Sequence, residues 1–339
     1  MSKYDRINKS LAKLEVPYEH ELPLAQVDSW PKSVHLFDKD QIWALRTAVA
    51  AERPLLVRGE PGTGKSQLAR AAAELLGRAF IYSVIYSGSE CQDLQFHFDE
   101  VTRLGKAQIL ATVRTAIDVE KALDPENFIS PGALWWAFDW HGAKAQYGRY
   151  ATHSRIPHTP AEWDLADGSV VLIDEIDKAE PELPNGLLET LGNGSFTIPF
   201  MKEAIGLWHD SPPPLIIITT NEERELPDAF VRRCLVLHLS PPVHDDVAFA
   251  EWLKQRGRLH FRQRCSEEVL STAAEMLIED RKKILTEHRV GPGQAEYLDM
   301  LRAVNHYPAA DQVRILHDIR KFALLKHQTD RSSPPVQRM

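Results

Sequence analysis

The amino-acid sequence predicts an α/β protein: a three-layer αβα core around a parallel five-stranded sheet, followed by a small all-helical domain. Two observations carry this expectation. Five short apolar runs, at 55–57, 80–85, 170–173, 215–218 and 235–239, are continuous rather than alternating, which is the pattern of strands covered on both faces. Their wide separations leave room for crossover helices. Beyond Pro241 and Pro242 the texture changes to amphipathic stretches at 247–255, 267–285, 295–304 and 311–325, with no strand-like run among them. The expected division is an N-terminal arm at 1–35, a core at 36–240 with an insertion around 89–168, a helical domain at 241–327 and a flexible tail at 328–339.

Taken in order, the first 35 residues mix charges with Pro17, Pro23 and Pro31 and read as a short helix or arm followed by an extended strap. Asp38 is placed to cap a helix whose buried face is Ile42, Leu45, Ala48 and Val49, and Pro54 ends that run. The stretch 92–168 is too long for one crossover. It carries Trp135, Trp136, Trp140 and Trp163, read as packing residues beside a surface loop at 142–159. Ser266 precedes Glu267 as a helix cap.

A chain of 339 residues with 43% hydrophobic and 26% charged content buries a sizeable core. Its formal net charge of −8 gives no global reason for a polyanion partner, so direct nucleic-acid binding is disfavoured without being excluded. Cys91, Cys234 and Cys265 are odd in number and far apart, which argues against a zinc site or disulfide framework and for a reduced, cytoplasmic setting. No run approaches the roughly 18 apolar residues of a membrane span.

The chemistry concentrates in three places. Gly59, Glu60, Pro61, Gly62, Thr63, Gly64, Lys65 and Ser66 match the phosphate-binding loop pattern, directly after one predicted strand and before a predicted helix that opens with Gln67. Glycines let backbone N–H groups wrap phosphates, Lys65 is placed for the β- and γ-phosphates, and Ser66 for Mg²⁺. The run 170–173 ends in Asp174 and Glu175, at the sheet edge where ligands bind in open α/β folds. Asp174 is expected to hold Mg²⁺, and Glu175 to orient or deprotonate an attacking water. The alternative is a pair of acids complementing a helix dipole. Asn221 ends the next strand and is expected at the same edge as a polar sensor, or else as a turn residue.

These elements in this order resemble an AAA+ ATPase, and within that class the MoxR-like group. Asp174-Glu175-Ile176-Asp177-Lys178-Ala179 resembles that group's extended acidic motif, residues 185–191 and 194–199 its following helix and hairpin, and residues 226–233 its arginine-finger segment. The resemblance spans roughly 36 to 325 and is strongest between Leu55 and Arg233. It implies Mg·ATP binding and hydrolysis in a homo-oligomeric ring, usually a hexamer, in which Arg233, or failing that Arg232, completes a neighbour's site. It also implies a protein client that is remodelled or matured, with a von Willebrand factor A-type protein as one possible partner.

One departure stands out. The family generally has a second sensor arginine opening a helix of the lid, and Gln294 occupies that place here; Arg289 is the candidate substitute. The family also carries an insertion after the second strand, where Phe96 and Phe98 fall; they either grip substrate at a ring pore or pack in the core. Two rivals remain at this point: a component of a nucleic-acid-directed or defence system, and an ATP-binding scaffold of low turnover.

Overall fold

The computed structural model describes residues 2–112, 118–207, 213–262, 264–286 and 291–324. Arg289 and the tail at 328–339 lie outside them. The chain divides into two compact units, one of Met1–Gly59 with Gly64–Leu239, the other of Glu60–Thr63 with Ser240–Met339.

All five expected strands form and join one sheet: β1 (Leu55–Arg58), β2 (Ala79–Val84), β3 (Ser169–Asp174), β4 (Leu215–Thr220) and β5 (Leu235–His238). Every pairing is parallel, and the order across the sheet is β5-β1-β4-β3-β2. Because successive side chains point to opposite faces, one set of strand residues, including Leu56, Ile81, Val171, Ile173 and Ile218, packs into one apolar cluster. The alternate set, including Leu55, Val57, Phe80, Leu172 and Ile217, packs into another. Both faces are dry, which accounts for the unbroken apolar runs. Each fully buried Leu or Ile contributes about 1.5–3 kcal/mol.

The helix Lys39–Ala51 begins as expected, with the Asp38 carboxylate accepting from the Gln41 N–H at 2.8 Å, and buries Ile42, Leu45, Ala48 and Val49. Ahead of it, the short helix expected near the N-terminus forms, and the extended strap after it is paired. A helix at Lys3–Lys13 leads to an antiparallel hairpin of His20–Leu24 with Ser33–Phe37. Leu14, Leu24 and Phe37 are buried against the sheet's second cluster, so this segment is part of the first unit's core.

Within the insertion, the loop expected at 142–159 is helical up to Arg149 and irregular from Tyr150 on. Residues Trp140–Arg149 form a helix capped by the Asp139 carboxylate, which accepts from the Gly142 N–H at 2.9 Å. Its buried Gln146 donates to the carbonyls of Glu126 and Ile129 at 2.7 and 2.6 Å. Charged side chains at Lys144 and Arg149 concealed the helix from a hydrophobicity reading. Trp135 and Trp136 are core residues as expected. Phe96 is 3% exposed within the same cluster, so its burial removes it as a substrate-gripping aromatic. Phe98 is partly buried, its ring 4.8 Å from that of Phe200.

In the second unit, the helices Asp246–Phe261, Glu267–Leu285, Gln294–Val304 and Ala309–Ala323 enclose their own core around Leu253, Leu270, Leu277, Met300 and Leu301. Ser266 caps the second of these, accepting from the Val269 N–H at 3.3 Å. Among the described residues, no helix is long and apolar enough to cross a membrane. The three cysteines are free thiols, and burial raises each above the ordinary thiol range, Cys234 to about 11.

Candidate functional site

The site follows from strand register. Ile218 on β4 pairs with Ile173 on β3, so Thr219 falls beside Asp174 one step on, and Thr220 pairs with Arg58 at the end of β1. Three strands therefore deliver their polar ends to one edge of the sheet.

After β1 the chain enters the glycine-rich loop. Gly62 and Gly64 have φ of +77° and +93°, a region that strains any residue with a Cβ. The helix Lys65–Leu76 starts immediately afterwards, and its first N–H groups, which lack intrahelical partners, point back into the loop. Lys65 is 6% exposed, and its ammonium donates to the Gly59 carbonyl at 2.7 Å. Burial lowers its pKa from the ordinary lysine value, while the carboxylates of Asp174, Asp177, Glu175 and Glu222 act in the opposite sense. Within the loop, the Thr63 hydroxyl donates to the Glu60 carbonyl at 2.9 Å.

Asp174 ends β3 and collects two hydroxyls on its Oδ1, from Ser66 at 2.8 Å and from Thr219 at 2.5 Å. The next residue, Glu175, stands in the left-handed region with φ of +61°. A non-glycine residue there costs of order 1–3 kcal/mol, which surrounding bonds must offset. The Glu175 N–H donates to the Thr219 hydroxyl at 2.9 Å. Its carboxylate is held at both ends: Oε1 accepts from the Asn221 amide at 3.2 Å, and Oε2 accepts from the Lys178 ammonium.

Asp177 completes the network from below. It is 2% exposed and accepts from the backbone N–H groups of Asn221, at 3.1 Å, and Glu223, at 2.9 Å. A buried carboxylate requires such partners, and here they fix the loop that presents Asn221.

These residues suit a magnesium-bound polyphosphate. Two oxygen donors, Ser66 Oγ and Asp174 Oδ1, converge within 2.8 Å, the hard-oxygen chemistry that Mg²⁺ takes, beside a buried lysine and a helix N-terminus suited to phosphate. Two residues of this segment, one in the loop and one in the helix, have side chains committed elsewhere. Gln67 donates to the Val34 carbonyl at 2.9 Å, and the Glu60 carboxylate accepts from Arg281 at 2.7 and 2.9 Å.

Residues 54–234, more than half of the chain, match the AAA domain family, dynein-related subfamily. The chain belongs to that family. AAA domains bind nucleotide, and the loop and acidic strand end described above lie within the matched segment. Comparison with curated proteins gives no match. A crystal structure from Cytophaga hutchinsonii, provisionally named as an ATPase, is 12% identical over 94% of this chain and 84% of that one, with a TM-score of 0.38.

In this AAA domain the expected residues separate into two groups. Lys65, Ser66, Asp174, Glu175 and Asn221 meet through the contacts above. Arg232 and Arg233 follow the short helix Asp228–Val231 and have exposed side chains. Their backbone carbonyls accept from the Arg53 guanidinium, that of Arg233 at 3.1 Å. Gln294 opens the helix Gln294–Val304. Thr219, Asp177 and Lys178 were not assigned roles from sequence. Thr219 had a signal, since a strand ending Thr-Thr-Asn places every second residue on one face.

Proposed function

We propose that this AAA domain protein hydrolyses Mg·ATP at the edge formed by β1, β3 and β4. The observation that carries the reading is the continuous set of contacts from Ser66 through Asp174 and Thr219 to Glu175 and Asn221. Gly59, Glu60, Pro61, Gly62, Thr63, Gly64, Lys65, Ser66 and Gln67 form the phosphate cradle; Glu60 and Gln67 contribute through backbone, since their side chains are engaged. Ser66 and Asp174 would hold Mg²⁺, which when bound neutralises phosphate charge.

Glu175 is the general base: it takes the proton of the attacking water as the water oxygen bonds to the γ-phosphorus and the bridging P–O bond breaks. Asn221 orients the Glu175 carboxylate. Lys65 offsets charge on the transferred group. Arg233, with Arg232 as the neighbouring alternative, completes the site of a second copy in a homo-oligomeric ring, hexameric by analogy with the MoxR-like group. By the same analogy, hydrolysis remodels or matures a cytoplasmic client protein, for which a von Willebrand factor A-type protein is the first to test.

The test is specific ATPase activity with Mg²⁺ over a wide range of protein concentration. Activity per subunit that rises and then plateaus supports a shared site. Activity that is high and independent of concentration sinks the shared site. A second reading, an ATP-dependent scaffold of low turnover, draws on the neutral Gln294; nucleotide-driven assembly with negligible hydrolysis distinguishes it.

A further inference from the structure

The Glu175 carboxylate has a second holder. Lys178 ends the 3₁₀ turn Ile176–Lys178, three residues beyond the proposed base, and that turn is anchored. Ile176 is fully buried, Asp177 is 2% exposed and clamps the Asn221 loop, and the Lys178 N–H donates to the Glu175 carbonyl at 3.0 Å. The turn therefore delivers the Lys178 stem to one place, and its ammonium meets Glu175 Oε2. Asn221, on the other oxygen, is a neutral donor at 3.2 Å; the ammonium is charged, and charge-assisted bonds are roughly twice as strong as neutral ones. The side chains of Lys178 and Glu175 are 40% and 29% exposed, so water can replace either partner and the pairing is reversible.

A base must turn a free lone pair towards the proton it takes. We propose that Lys178 is a positioning residue: held at both oxygens the Glu175 carboxylate cannot rotate, and release of Oε2 by the ammonium, while Asn221 keeps Oε1, lets it turn one of its unshared lone pairs to the water. This depends on Glu175 acting as the base, as proposed above. The release is a regulatory point: whatever reorients the 176–178 turn or offers Lys178 another anion, a bound phosphate or a neighbour's carboxylate, frees the base.

Two readouts test it. Lys178→Met is expected to raise kcat about two- to five-fold, the range that a partly exposed ion pair supports, with KM unchanged, whereas Lys178→Arg keeps the charge and stays near the parent. Independently of turnover, acetic anhydride labelling of the Lys178 amine, followed by mass spectrometry, is expected to be faster in Glu175→Ala than in the parent. An unchanged or lowered kcat in Lys178→Met overturns the restraint, as does equal labelling in parent and Glu175→Ala. A Glu175→Gln protein that turns over like the parent overturns the base assignment instead, and the labelling still reports on the ion pair.

Discussion

Two strand ends in the first unit lie at opposite edges of the parallel sheet and receive opposite treatment. Where β3 ends, Asp174 and Glu175 have their carboxylates bonded to Ser66, Thr219, Asn221 and Lys178. Ahead of β5, Arg232 and Arg233 have their backbones pinned by Arg53 while both guanidinium groups stand in solvent. Acids are dear to bury and must be paired in place. Exposed arginines cost little and pair when a partner anion arrives. On the function proposed above, the chain supplies the acidic half of a phosphoryl-transfer site in built form and presents a fixed stem for its cationic half.

The largest effect that could break this contrast is at the cations. Arg233→Ala is expected to retain ATP binding and to lose about 10³-fold or more in kcat, the scale of an arginine supplied across an interface. Mixing Arg233→Ala with Glu175→Gln protein should restore part of the activity, because mixed interfaces pair one intact base with one intact arginine. No recovery in the mixture, with assembly shown intact, would place the arginine outside a shared site.

Next comes the acid itself. Glu175→Gln preserves shape and removes the base, so turnover should fall about 10²- to 10⁴-fold with ATP affinity retained. Lys65→Ala, by contrast, should lose affinity as well, since it removes a buried cation beside the cradle. Equal ATP affinity in the parent and Lys65→Ala, measured with a fluorescent ATP analogue, would contradict the cradle.

Asn221→Ala takes away one of two holders of Glu175 and is expected to lower kcat about ten-fold, the scale of a lost hydrogen bond to a charged group, with KM changed less. A change confined to KM would mean that Asn221 serves binding rather than orientation.

How far the sequence reaches follows from the same residues. The five strands were legible because both sheet faces are buried, which leaves unbroken apolar runs at Leu55 and Val170 and onwards. The loop and the acid pair were legible because chemistry restricts their residue types. The helix at Trp140–Arg149 was not, because its anchor is the amide of Gln146 reaching two carbonyls, a contact between segments. The role of Asp177 is not legible from its neighbours, since what it clamps lies 44 residues away at Asn221. Lys178 reads as one more surface lysine until the left-handed turn at Glu175 brings the two side chains together.

The smallest expected effect tests the stem. Arg53 donates to the carbonyls of both Arg232 and Arg233 from 179 and 180 residues away, a link that no local pattern announces. Its side chain is only partly buried, so Arg53→Ala should cost about 1 kcal/mol of stability, read as a shift of a few degrees at most in thermal unfolding. The stem's orientation is the more sensitive quantity. A guanidinium displaced by about an ångström loses much of its effect on a transferring phosphoryl group, so kcat should fall several-fold with ATP affinity unchanged. Arg53→Lys should restore less than half of that loss, because one ammonium cannot reproduce the fork across two carbonyls. If Arg53→Ala lost stability alone and kept its kcat, the backbone clamp would serve folding only. The contrast between a built acidic half and a presented cationic half would then rest on Arg232 and Arg233 without their support.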